Sequence, residues 1–303
     1  MMLEFDSEKA RNVAPILYRE FLIKGIHGKK DMPEDIPPEN VTIGSREHIL
    51  FLTLTVSIDY QRDAHVLWDC ARRTYADPET RYLFEPESIA NQSLDTMIRD
   101  LQRYKLSKKP RKDAWIWRTV ALSFNKKWKN DPRLFLADCN WDAVIILHRL
   151  KNDTHFTGKT MAWDFPYLRG PKIGSLWVKM LRDNARIEDI VNLEKVPIPV
   201  DVHVARATLA LGVVKGRYQG SLNVVYDAIR GAWKQGVLGV STGKYPMIPL
   251  DVDEPLWHLS KFGCRNRDTI TGECPLKMVC VMREYCVDGR LRIGKDGVIL
   301  ETA

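Results

Sequence analysis

The chain has 303 residues, 45% of them hydrophobic, enough to bury one large core or two smaller ones. With 28% charged residues, nine Trp and nine Phe, a disordered chain is excluded. The formal net charge of +7 favours a polyanionic partner such as nucleic acid, although on charge alone a basic enzyme unconnected with nucleic acid fits equally well.

The first residues are acidic and lack an apolar stretch, and the longest apolar runs, such as Ala143 to Leu147, are far too short to span a bilayer. A cytoplasmic monomer without membrane contact is expected. Strand signals are scarce, and the sequence reads as helix after helix punctuated by Pro, Gly and Asp. Residues 27–44, proline-bearing and acidic, read as a flexible excursion. From Ser45 to Tyr75, Ile49, Leu52, Val56, Val66 and Leu67 predict two consecutive helices broken across Ile58 to Arg62. Further helices are predicted over Pro86 to Tyr104, Asp113 to Lys129, Pro132 to Leu150, Ile173 to Asn184, Val202 to Leu211 and Ser221 to Lys234. The chain is then irregular as far as Trp257. The expected fold class is all-α, with short helices forming two lobes around a ligand cleft.

Four stretches carry chemistry. From Arg103 to Lys112, six of ten residues are cationic. A solvated loop is the ordinary explanation; on a nucleic-acid binder, Lys108, Lys109 and Arg111 become phosphate contacts. Next, Leu168-Arg169-Gly170-Pro171-Lys172-Ile173-Gly174 is a glycine-bearing turn opening a helix, a place where backbone N–H groups bind phosphate. A plain helix–turn–helix explains that turn alone just as well. Downstream, Pro197 and Pro199 force an extended entry into a helix starting after Asp201, whose side chain suits a cap. Finally, Cys264, Cys274, Cys280 and Cys286 are separated by nine, five and five residues. Four thiolates this dense can surround a [4Fe–4S] cluster or one zinc, ahead of a disulfide pair in a reducing compartment and of buried unligated thiols. The isolated Cys70 and Cys139 are expected in the core.

Gly170-Pro171-Lys172-Ile173-Gly174 followed by Val200-Asp201-Val202-His203 resembles the signature of the helix-hairpin-helix DNA glycosylases. The Ile-Pro-Val-Asp segment is similar to that of the archaeal 8-oxoguanine DNA glycosylases. Asp59-Tyr60-Gln61 with Trp68, and Asp253-Glu254-Pro255-Leu256-Trp257, resemble two further segments of that group. The likeness covers roughly residues 45 to 260 and is loose outside these motifs. Leu168 stands where the first hairpin glycine is usual.

The resemblance implies a two-lobed helix-hairpin-helix glycosylase fold with a C-terminal four-cysteine loop. Residues 1–85 would contribute to the lobe carrying the metal, 86–200 would form the barrel lobe with the hairpin, and 201–303 the return helices and cluster. It implies base-excision repair of double-stranded DNA carrying a damaged base, an oxidised purine such as 8-oxoguanine being favoured, by base flipping. Asp201 would stabilise charge on the sugar, and Lys172 would attack C1′ and add apurinic-site lyase activity. Lys179 is expected on a solvated face. Trp257 would stack on the flipped base while Gln61 and Asp253 read its edge; core, helix-end and turn roles are their ordinary alternatives. Gly170 and Gly174 would bind phosphate, with Arg265 and Arg267 doing so from the loop after Cys264. Many superfamily members carry a C-terminal [4Fe–4S] cluster, whose last inter-cysteine interval of five residues matches Cys280 to Cys286. The longer first intervals keep zinc in contention. The alternatives are a non-catalytic, metal-stapled DNA-binding protein and a metal-centred redox protein.

Overall fold

The structure, a computed structural model, describes residues 3–294 and 297–302. It is mainly helical with a small antiparallel sheet. In chain order the elements are β1 (Leu3–Phe5), α1 (Ser7–Lys24), α2 (Arg46–Val56), α3 (Ala64–Ala76), α4 (Pro86–Ala90), α5 (Leu94–Arg103), α6 (Pro110–Trp128), α7 (Pro132–Asp138) and α8 (Ala143–Asn152). There follow β2 (Thr154–Phe156), β3 (Met161–Trp163), α9 (Ile173–Asp183), α10 (Val202–Ala210), β4 (Val214–Gly220), α11 (Leu222–Gly236), α12 (Asp253–His258), β5 (Gly289–Gly294) and β6 (Gly297–Thr302). The chain divides into two compact units, one made of residues up to 31 and from 197 onward, the other of residues 32–196. Of the expected first segment 1–85, residues up to 31 therefore group with the C-terminal part, and 32–85 with 86–196. No helix among the described residues is long and apolar enough to cross a membrane.

The unit 32–196 is built around α2, which is buried from His48 to Val56. Phe51 packs on Trp68, Tyr75 and Phe84, and Phe84 on Trp117. A second aromatic group joins Phe124, Trp128, Phe135 and Phe165. The break between α2 and α3 falls where expected, and Asp63 caps the new helix by accepting from the His65 N–H at 3.0 Å. Two of the predicted helices are each split. Ser93 accepts from the Thr96 N–H at 3.0 Å and starts α5 afresh. Left-handed Asn140 and Trp141 end α7, after which Asp142 accepts from the Val144 N–H at 2.7 Å to cap α8.

Within this unit, residues 32–44 are not the flexible excursion expected. Met32, Pro33 and Glu34 are buried, Arg72 donates to the Pro33 carbonyl at 2.9 Å, and Asn184 donates to Asp35 at 2.8 Å. The apolar pair Met32-Pro33 supplies a reason to bury a stretch whose composition looked solvated.

In the other unit, α1 buries Ala10, Val13, Ala14, Leu17 and Phe21 in one core with Val225, Ile229, Ala232 and Trp233 of α11. The strands form a four-stranded antiparallel sheet in the order β1-β4-β6-β5. Leu291, Val298 and Leu300 face the core while Arg290, Arg292 and Glu301 point outward. The all-α expectation lacks this sheet. Its signal was the period-two run Arg290-Leu291-Arg292-Ile293, the alternation of a half-buried strand.

Candidate functional site

In the unit 32–196, the helical pattern of α9 begins with a bond from the Gly174 N–H to the Gly170 carbonyl at 2.9 Å. Pro171 suits this first turn, where its missing N–H is not needed. Gly174 is required by close approach: a Cβ there would stand 2.9 Å from the Leu168 carbonyl oxygen and 3.2 Å from Leu147 Cδ2. The expected hairpin is not a short link between two helices, because β2 and β3 lie between α8 and this turn. Lys172 projects from the turn, partly exposed, with its Nζ 3.2 Å from Asp59 Oδ2.

Asp59 leads into a turn that continues through Tyr60 to Gln61, the latter in the left-handed region with φ of 51° and its side chain exposed. Tyr60 donates its hydroxyl to Asp113. The same buried carboxylate accepts from Ser107 Oγ at 2.9 Å and from the backbone N–H groups of Lys108 and Lys109, each at 2.8 Å. Burial and the Asp113 charge push the Tyr60 phenol far above its ordinary value, so it stays a donor. The Lys108 amine donates to the Gln61 carbonyl. Tyr60 and Tyr167 pack with ring centroids 4.5 Å apart, and the Lys112 ammonium lies 5.4 Å and 4.9 Å from their centres. Lys109 lies 5.2 Å from the Tyr60 ring.

The basic run is therefore a fixed platform whose backbone is tied down while Lys108, Lys109 and Arg111 remain exposed. Replacing Asp113 by Ala strands four donors, two of them backbone N–H groups. It should lower the unfolding free energy of this unit by about 3 kcal/mol, read by urea denaturation. A loss under about 0.5 kcal/mol would show that the platform does not depend on it.

Lys179 is not on a solvated face. It is buried, and its ammonium lies 3.1 Å from Asp183 Oδ2. The cause is that α9 is buried on nearly every side, from Ile173 to Leu181.

In the other unit, Asp201 caps α10. Its Oδ1 accepts from the N–H groups of His203 at 2.7 Å and Val204 at 2.8 Å. Among the described residues, Oδ2 accepts no such bond. Beside it, His203 lies 5.4 Å from the Trp257 ring, and its Nδ1 is 3.3 Å from Ser260 Oγ. Burial lowers the His203 pKa, which keeps the imidazole neutral. Trp257 and Asp253 stand one turn apart on α12 and are both buried, at 8% and 5% exposure. Asp201 and these two candidate pocket residues thus share one neighbourhood, but the indole face is covered rather than open. Its ring neighbours are His203, His258 and Phe262.

A turn of π-helix, Leu259–Gly263, carries the chain from α12 to Cys264. Cys264, Cys274, Cys280 and Cys286 line a single cavity of about 770 Å³ with His27, Arg267 and neighbouring loop residues. Burial, and after it the neighbouring thiols, raise the pKa of Cys264 and push Cys286 up to about 11. All four are free thiols, and among the described residues no three of His, Cys, Asp or Glu stand in a metal-holding group. Their donor chemistry nevertheless fits a thiophilic centre: four sulfurs around one space, whose ionisation a bound cation favours. The same cavity also has an orphaned buried nitrogen, His27 Nε2.

Arg265 is exposed, as a phosphate contact requires. Arg267 is a correction. It is buried and donates to the carbonyls of Gly272 at 2.7 Å and Val287 at 2.5 Å, fastening the loop rather than reaching for DNA. Cys70 and Cys139 are buried as expected.

Reading the sequence missed Asp113 and His27, and gave Asp59 no role of its own. Asp59 belongs to the Asp59-Tyr60-Gln61 segment, but its partner lies more than a hundred positions away. No protein-family model matches the chain, and no curated protein matches it.

Proposed function

We propose that the chain is a base-excision DNA glycosylase with lyase activity, of the helix-hairpin-helix type, acting on duplex DNA with a damaged base. An oxidised purine is the favoured lesion class. The observation that supports this most is the Lys172 amine, partly exposed beside a carboxylate on the same unit as a fixed cationic platform.

In this reading, exposed Lys108, Lys109 and Arg111 hold backbone phosphates. Lys172 gives its proton to Asp59, and the neutral amine attacks C1′. The bond from C1′ to the base breaks, and the base leaves with the electron pair. Opening of the sugar ring, in which O4′ takes up a proton from the attached nitrogen, gives a protonated Schiff base, from which loss of a C2′ proton to the departed base anion expels the 3′ phosphate. The open oxygen of Asp201 stabilises positive charge on the sugar as the base departs. A [4Fe–4S] cluster or zinc held by Cys264, Cys274, Cys280 and Cys286 would staple the loop that carries Arg265 and take no part in bond breaking.

The test is incubation with a panel of duplexes, each carrying one damaged base, with and without alkali, and with borohydride to trap the Schiff base. Cleavage of at least one lesion and a trapped complex are expected. Lys172→Gln should abolish the trapped complex while duplex binding survives. No release of any base would leave the second reading, a non-catalytic binder of DNA structure. That reading is favoured by the burial of Trp257 and Asp253, which leaves no open stacking face.

A further inference from the structure

We infer that His27 belongs to the four-cysteine centre, as a hydrogen-bond donor to one of its sulfurs. The inference rests on the reading of Cys264, Cys274, Cys280 and Cys286 as metal ligands. Three observations meet at this residue. His27 lines the same cavity as the four cysteines. Its Nε2 is buried and has no hydrogen-bond partner. The ring packs directly against the residue before Cys264, an approach only glycine allows, since a Cβ on Gly263 would stand 2.5 Å from Nε2.

Buried ring nitrogens seldom lack a partner, so this one points to a group that the chain itself does not supply. An imidazole in either charge state keeps an N–H to donate. The main chain is shaped to present it: His27 takes a left-handed φ of 53° in a turn closed by the Ile26–Lys29 bridge. Two cations line the same cavity: Arg267 has Nε and one terminal nitrogen committed to the Gly272 and Val287 carbonyls, and Lys277 donates to Asp288 at 3.1 Å. Four thiolates complete the ligand set that zinc or a cubane cluster takes, so His27 serves as a donor to sulfur and not as a fifth ligand. Such a bond fixes the orientation of the ligand sulfur, slows loss of the metal and withdraws charge from the centre.

The test uses the full chain, purified without oxygen, alongside apoprotein reloaded with zinc. Retention against a chromophoric chelator is measured for the parent protein, His27→Phe, His27→Gln and Gly263→Ala. His27→Phe should hold metal about 10- to 100-fold more weakly and shift the potential of an iron–sulfur centre to more negative values. His27→Gln, whose carboxamide still donates, should recover part of the loss. Gly263→Ala should mimic the phenylalanine variant, yet add nothing in a His27→Gly background, because its effect is displacement of the ring. Parent-like retention and potential in His27→Phe would overturn the inference. Equal loss in the phenylalanine and glutamine variants would overturn it too, since only the donor separates them. A parent protein that takes up neither iron nor zinc is a different failure, that of the cysteine reading itself.

Discussion

Asp201→Asn is expected to slow base release by about 10³-fold at saturating enzyme, with fold and duplex affinity nearly unchanged. The substitution separates two jobs held by one side chain. Oδ1 caps α10 through the N–H groups of His203 and Val204, and a carboxamide oxygen caps about as well as a carboxylate oxygen. The melting temperature should therefore barely move. What Asn removes is the negative charge, and with it, under the proposed function, the stabilisation of a sugar that becomes cationic as the base leaves. Asp201→Ala provides the contrast, losing the cap as well, at about 1 kcal/mol of stability. Duplex affinity should hold or rise in both, because a negative charge is withdrawn from the surface proposed to meet phosphates. If Asp201→Asn releases the lesion base at the parent rate, the carboxylate has no part in the chemistry, and capping is its whole role.

The helices were readable because their causes are local. Ser45 and Asp63 are caps, Ile49, Leu52 and Val56 recur at helical spacing, and α2 and α3 follow from them. The Asp201 junction was equally plain. Less legible were features whose cause lies far along the chain. The pair of Lys172 with Asp59 joins residues 113 positions apart, and the tie of Tyr60 to Asp113 joins residues 53 apart. Lys179 was placed on a solvated face because its position along the helix fixes direction only when one face is exposed; α9 is buried almost all round. The sheet escaped because two of its glycine-bearing strands, β4 and β6, pair across a separation that composition does not reveal. The four cysteines were visible as a cluster, while the histidine that shares their cavity sits near the other end of the chain.

Loss of the four-cysteine centre is expected to cost the unit that contains it at least about 4 kcal/mol. The segment from Cys264 to Cys286 contains only short 3-10 turns, at Cys264–Asn266, Lys277–Val279 and Arg283–Tyr285. Short turns of this kind have little cooperative stability of their own. Its buried apolar anchors are few: Cys264, Cys280 and Met282 reach the core shared by α1, α10 and α11. Two of those three are candidate ligands, so removing metal strikes the packing as well as the coordination. Cys280→Ser, or a chelator acting on the parent protein, should lower the melting temperature and open the segment to proteolysis between residues 268 and 279. The unit 32–196 should keep its own unfolding transition, since its aromatic core contains none of these residues. Duplex affinity should fall as the loop bearing Arg265 loosens, while the rate of base release from fully bound DNA stays within about threefold of the parent, because no step of the chemistry passes through the centre. Serine variants with parent-like melting and parent-like protease resistance would show that the thiols stabilise nothing by binding metal. A loss of single-turnover rate at full saturation would instead draw the centre into the chemical step.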